Sequence, residues 1–167
     1  MSAIGLRPYL VSDAKRCLDI FVRSVAELAS EDYDEDQCEA WIAAVGDEKE
    51  LAKRLAAMLT LIATIDGQAV GFASLKGADV VELIYVDPEF ARQGVATTLL
   101  DALTKLAAAR GGKRLTADVS DTAKPLFEKQ GFVGERRNLV TLGEQWLANT
   151  TMSKPLAAAP ANDTTRH

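Results

Sequence analysis

From Val80 to Leu106 the chain reads VVELIYVDPEFARQGVATTLLDALTKL, and no other stretch limits the fold as tightly. The apolar run Val80–Val86 predicts a buried strand, and Asp87-Pro88 predicts a turn. Val95, Leu99, Leu103 and Leu106 then recur at helical spacing, which predicts a helix over Arg92–Arg110 with Arg92-Gln93-Gly94 in its first turn. The first N–H groups of a helix lack intrahelical partners and carry partial positive charge. Gly94 removes a side chain where a ligand would approach the backbone, so strand, turn and helix start together predict a pyrophosphate seat. Taken alone, Gly94 also fits a second role, close packing of the helix on its strand.

The remaining composition excludes several kinds of chemistry. The only histidine, His167, is the last residue and is expected to be mobile, so nucleophilic sites built on an internal histidine base and the common zinc hydrolase sites are not expected. Proton transfer then falls to carboxylates, tyrosines, lysines, water or the substrate, with no metal. Cys17 and Cys38 lie too far apart for a CxxC motif and are expected as buried thiols. A net charge of −5 argues against nucleic-acid binding. No apolar run approaches the roughly 20 residues that span a bilayer, and MSAIGLRPYLVSDAK lacks the pattern of a signal peptide. A cytoplasmic protein without membrane partners is expected.

At 167 residues one domain is the simplest organisation. Ile4–Arg7 predicts a first strand stopped by Pro8. Ser12 or Asp13 opens an amphipathic helix carrying Leu18, Phe21, Val22, Val25 and Leu28. Asp34 with Gln37 forms a capping-box pattern before a short helix through Trp41, and Asp47–Ala57 predicts further helix. Met58–Ile65, the turn Asp66-Gly67, Gln68–Leu75 and Asp79–Val86 predict an antiparallel meander. A strand at Leu115–Val119, a helix over Thr122–Gln130, and strands at Phe132–Thr141 and Gln145–Met152 complete a domain over residues 1–154. The AAAPANDTT tail from Pro155 to His167 is expected to be disordered.

Three anchors, IGLRPYLVSDA, the central motif and TAKPLFEKQGF, resemble the GCN5-related N-acetyltransferase (GNAT) family. The final WLANTTM also resembles one bacterial subgroup, and the resemblance covers about residues 3–153. It implies an α/β (α+β) acyl-CoA N-acyltransferase fold with a mixed, mostly antiparallel sheet flanked by helices. It also implies acetyl-CoA as co-substrate, seated on Tyr85, Val86, Arg92, Gln93, Gly94, Val95, Ala96 and Thr97. The family pattern is Arg/Gln-x-x-Gly-x-Gly/Ala. Gly94 and Ala96 match it, but Ala91 stands at the first position and the arginine falls one place later.

The implied reaction is acetyl transfer to a primary amine of a small molecule or peptide, directly and in a ternary complex, with backbone N–H groups near Tyr85 and Val86 polarising the thioester carbonyl. Glu82 is the charged residue within Val80–Val86 and the candidate base. Partial desolvation would raise its pKa, although a glutamate at this position could also simply face solvent. Many relatives carry a tyrosine where this chain has Phe127, and an asparagine where it has Ser120. Ser120, Tyr85 or a water are the candidates to protonate the departing thiolate. Tyr33, Trp41 and Trp146 are expected to border the acceptor, with Gln37 and Asn149 nearby. The acidic run Glu31–Asp36 either attracts a cationic amine or serves as a solvated helix start. An acyl-CoA-binding module without catalysis is the alternative function, and a monomer or a homodimer through the late strands is expected.

Overall fold

The computed structural model describes residues 3–157. A strand β1 (Ile4–Pro8) leads into three helices, α1 (Ala14–Leu28), α2 (Glu35–Ala44) and α3 (Glu48–Ala56). The meander β2 (Leu59–Ile65), β3 (Gln68–Lys76) and β4 (Val80–Val86) follows. Then come α4 (Val95–Ala109), β5 (Arg114–Ser120), α5 (Lys124–Lys129), β6 (Val133–Leu142) and β7 (Gln145–Pro155). The strands form one sheet in the order β1-β2-β3-β4-β5-β7-β6, antiparallel throughout except for β4 beside β5.

Local chemistry explains most boundaries. Asp34 and Gln37 make the expected reciprocal cap on α2, and Asp47 with Glu50 makes a second one that starts α3. The hairpin at Asp66-Gly67 has φ 52° and 80°, the left-handed pair that matches strand twist. Pro8 does not stop β1: it pairs opposite Leu61 as the last residue of an edge strand, where a missing N–H is tolerated. Residues 158–167, which hold most of the tail expected to be disordered and His167, lie outside the described residues. Within them β7 runs through Pro155, and Leu156 N–H donates to Lys113 O at 2.9 Å.

Each face of the sheet carries its own core. Val95, Leu99, Leu100 and Leu103 of α4 pack with Phe127 and Phe132 on one face. Cys17, Ile20, Phe21, Val25, Leu51 and Leu55 from α1 and α3 pack on the other, together with the free thiol of Cys38. The α4 face sits close to the sheet because β3 presents Gly71, where a Cβ would lie 2.9 Å from Val95 Cγ1 and 3.1 Å from Tyr85 O. Burial pushes the Cys17 thiol up to about 12, so it behaves as an apolar core group at neutral pH.

The loop into α4 differs from the expected continuous helix. Arg92 has φ 64° and Gly94 φ 88°, so the chain turns twice through the left-handed region and the helix begins only at Val95. A Cβ at Gly94 would meet nothing nearer than Ile4 Cδ1 at 3.9 Å. Conformation rather than space therefore calls for glycine there.

Candidate active site

The one parallel junction opens the sheet. β4 and β5 are in register only at Val80 and Thr116, where Thr116 N–H donates to Asp79 O at 2.8 Å. Beyond that point the strands part, and the backbone groups of β4 that face away from β3 between Val81 and Val86 point into the gap instead of into a ladder. Two cavities occupy the gap. One, of about 550 Å³, is lined by Val86, Arg92, Gly94, Val95, Ala96 and Thr97. The other, of about 270 Å³, is lined by Glu82, Arg54, Leu142 and Asn149. Trp41, Ile84, Tyr85, Ser120 and Ala123 line both, so they mark where the two meet.

One wall of the larger cavity presents backbone. Thr98 N–H makes the first α4 helical bond, to Gly94 O at 2.9 Å, which leaves the N–H groups of Val95, Ala96 and Thr97 without intrahelical partners at the cavity. Of the residues expected at this seat, Gln93 does not line the cavity and the others do. The preceding turn is latched from the far side. Asp87 is fully buried, caps the turn through Glu89 N–H at 2.9 Å, and meets Arg16 at 2.5 Å and Arg23 at 3.0 Å from α1. Burial pulls this carboxyl up, but the Glu89 N–H and the two guanidinium groups together hold it below the usual carboxylate range. Sequence reasoning identified the turn and missed the latch, because Arg16 and Arg23 lie 71 and 64 residues away.

The smaller cavity is built from side chains. Val81 pairs opposite Leu75 and Leu83 opposite Ser74, so Glu82 is the extra residue of a β-bulge. The bulge switches the strand's parity: Val81 and Ile84 pack toward α4, while Leu83 and Tyr85 pack toward α1 and α3. On that α1–α3 side Glu82 Oε2 accepts from Arg54 Nη2 of α3 at 2.8 Å, with 29% and 40% of the two side chains exposed. The expectation of a lone, desolvated glutamate is corrected accordingly. Glu82 lies at a cavity wall, ion-paired and half-exposed.

Tyr85 stacks edge-on against Phe21 at 4.8 Å and lies near Trp41 at 6.4 Å. Burial pushes its phenol up to about 12 despite the opposing pull of Trp41, so it stays protonated and can donate a hydrogen bond. Ser120 caps the next turn by accepting from Ala123 N–H at 3.1 Å, and its own hydroxyl proton stays available. Phe127 is buried at this cavity and stacks on Phe132 at 4.9 Å.

The substrate-side expectations divide. Trp41 lies at the junction. Tyr33 lines the smaller cavity, but its hydroxyl is committed: it donates to Ala148 O at 2.6 Å and accepts from Asp121 N–H at 2.9 Å, tying α2's approach to β5 and β7. Its ring borders the cavity as expected, while its hydroxyl serves the fold. Trp146 is not among the residues lining either cavity and is 57% exposed. The period-two alternation of β7 gives the inward position to Leu147 instead. The acidic run does not act as one patch: Asp34 caps α2, and Asp32 accepts from Thr122 at 2.9 Å. Arg54 was missed at the sequence level. The Asp47-Glu48-Lys49-Glu50 capping box is the signal that would have fixed the start of α3 and hence the face carrying it.

With this geometry in place, a family model described as an acetyltransferase (GNAT) domain matches residues 29–156. An uncharacterised N-acetyltransferase of Escherichia coli K12, YafP, is 36% identical over 152 residues, 91% of this chain and 96% of that protein. A GCN5-related N-acetyltransferase crystal structure from Rhodopseudomonas palustris is 52% identical with a TM-score of 0.90, covering 93% of this chain and 98% of that one. At 21% identity, the PaiA N-acetyltransferase of Thermoplasma acidophilum in complex with coenzyme A shares the fold at a TM-score of 0.76, covering 92% of this chain and 99% of that one. The chain belongs to the GNAT acetyltransferase family.

Proposed function

We propose that this acetyltransferase binds acetyl-CoA in the larger cavity and transfers the acetyl group directly to an amine held in the smaller one. The observation that carries the reading is the parting of β4 from β5, which joins the cavity at the α4 N-terminus to the one bearing Glu82 at Tyr85 and Ser120. The cofactor fits the chemistry of the donors present. The free N–H groups of Val95, Ala96 and Thr97 suit a pyrophosphate, with Arg92 at the cavity wall. The unpaired β4 edge suits the amides of a pantetheine arm, which would add as a short strand.

The amine nitrogen attacks the thioester carbonyl carbon; the C–N bond forms and the C–S bond breaks. The N–H of Val86 stabilises the oxyanion that develops: Asp87 N–H donates to Val70 O on β3, so strand alternation turns the preceding N–H toward the gap. Tyr85 stands three positions beyond Glu82 along β4, about 10 Å at the usual strand rise, so Glu82 takes the amine proton through bridging water. Tyr85, with its phenol near 12, is poorly matched to complete proton transfer to a thiolate. It serves as a hydrogen-bond donor to the departing sulfur. The proton that Glu82 took from the amine is relayed to the thiolate through water, with Ser120 as a link in that relay and not the net acid. Holding both substrates side by side replaces a bimolecular encounter with an oriented one. Trp41 at the junction orients the acceptor.

Thermal denaturation with and without acetyl-CoA, followed by thiol release over an amine panel, tests this. Acetyl-CoA at about one hundred times its dissociation constant is expected to add about 2.7 kcal/mol of stability. Absence of any stabilisation would remove the cofactor assignment. Stabilisation without thiol release from any amine would favour a binding module, for which Phe127 in place of a hydroxyl-bearing residue is the supporting feature.

A further inference from the structure

We propose that Arg54 recognises the acceptor, and that the acceptor is an α-amino acid with an apolar side chain; this rests on the acyl-transfer reading above. Among the described residues lining the smaller cavity, Arg54 is the one bearing positive charge, while Glu82 and Asp118 bear negative charge. Much of the remaining wall is apolar, including Phe127, Val140, Leu142 and Leu147. A cavity of about 270 Å³ with one cation, two carboxylates and apolar walls complements a compact zwitterion with a hydrocarbon side chain.

The placement of Arg54 is rigid. Its neighbours on α3, Leu51 and Leu55, are buried, the helix start is locked by the Asp47–Glu50 cap, and Thr60 donates to Leu55 O at 2.9 Å beside its end. The guanidinium carries five N–H donors in a planar fork, and the Glu82 bond takes one of them. With 40% of the side chain exposed, a ligand carboxylate can reach the fork.

The pairing also bears on the base. A protonated amine without a carboxylate meets repulsion from Arg54, and it meets a Glu82 already engaged. An acceptor carboxylate draws the guanidinium to itself, leaving the Glu82 oxygens to the ammonium. Binding of the correct acceptor thus releases the base at the moment it is needed.

The test uses the full chain saturated with acetyl-CoA and measures thiol release from matched acceptors: phenylalanine against phenylalaninamide and phenethylamine, and leucine against isopentylamine. Carboxylate-bearing members are expected to be preferred in kcat/KM by roughly 10- to 100-fold, the range of a charge-assisted hydrogen bond. Arg54→Gln should raise KM for the amino acids by a similar factor while improving kcat/KM for the carboxylate-free amines, which lose the repulsion and meet an unengaged Glu82, and Arg54→Lys should recover part of the loss on the amino acids. Unaltered stabilisation by acetyl-CoA in both variants shows that the fold and the cofactor seat persist. Equal use of the carboxylate-free amines, an equal loss on both series in Arg54→Gln, or thiol release from neither series by a protein that acetyl-CoA stabilises would each overturn the proposal. Failure of acetyl-CoA to stabilise the wild-type chain would instead overturn the reading beneath it.

Discussion

The two cavities differ in what builds them. The larger takes one wall from a continuous stretch that presents backbone, the β4 edge and the loop into the N-terminus of α4, and closes it with α1, Trp41 and the segment from Ser120 to Leu126. The smaller gathers side chains from Trp41, Arg54, Glu82, Ser120 and Asn149, which fold together from separate elements. A backbone site tolerates changes of side chain as long as the conformation survives. A side-chain site keeps its conformation and loses chemistry when one residue changes. Variants should therefore separate cofactor binding from turnover.

The largest expected effect is at Asp87. Asp87→Ala leaves Arg16 and Arg23 facing a buried, vacated partner and should cost about 3 kcal/mol of stability, read by chemical denaturation. Stabilisation by acetyl-CoA should fall with it, because the turn that delivers the α4 loop is unlatched. The same carboxyl predicts an acid limb. A group whose pKa is lowered on folding contributes stability above its unfolded value and loses it as pH falls through the folded one. Wild-type stability should decline below about pH 4, and that part of the decline should be missing in Asp87→Ala.

Next in size, Glu82→Gln should lower turnover roughly 100-fold, with acetyl-CoA stabilisation intact. Loss of cofactor binding in this variant would break the proposed division between the cavities. Gly94→Ala should cost about 1–2 kcal/mol for a non-glycine residue at φ 88°, and should weaken acetyl-CoA binding more than it alters acceptor KM. Trp146→Ala should leave turnover within error, since the ring lies exposed on β7 away from both cavities. A raised acceptor KM there would show that the acceptor reaches beyond the cavity described.

The chain's own order set whatever depended on near neighbours. Asp34 and Gln37, three apart, announce the α2 cap, and Asp66-Gly67 announces its hairpin. The strand–turn–helix around Asp87 and Gly94 was legible as a run of free backbone donors at a helix start for the same reason: those donors are successive backbone groups. Where the helix truly began was less legible, because the reversals at Arg92 and Gly94 precede α4 without a capping side chain to mark them.

Tertiary structure decided the rest. Alternation along Val80–Val86 gives no sign of a bulge, since a bulge exists only relative to the partner strand β3. That single extra residue sends Glu82 toward α3, where Arg54 arrives from 28 residues away. Tyr33 and Trp146 look alike in sequence as aromatic candidates, yet one spends its hydroxyl on Ala148 and Asp121 and the other faces solvent. Sequence by itself determined the elements and the backbone seat, because hydrogen bonding and periodicity are local. Only the folded sheet, parting at Val80 and Thr116, determined which charges share the second cavity, because charge pairing acts through space across segments the chain keeps apart.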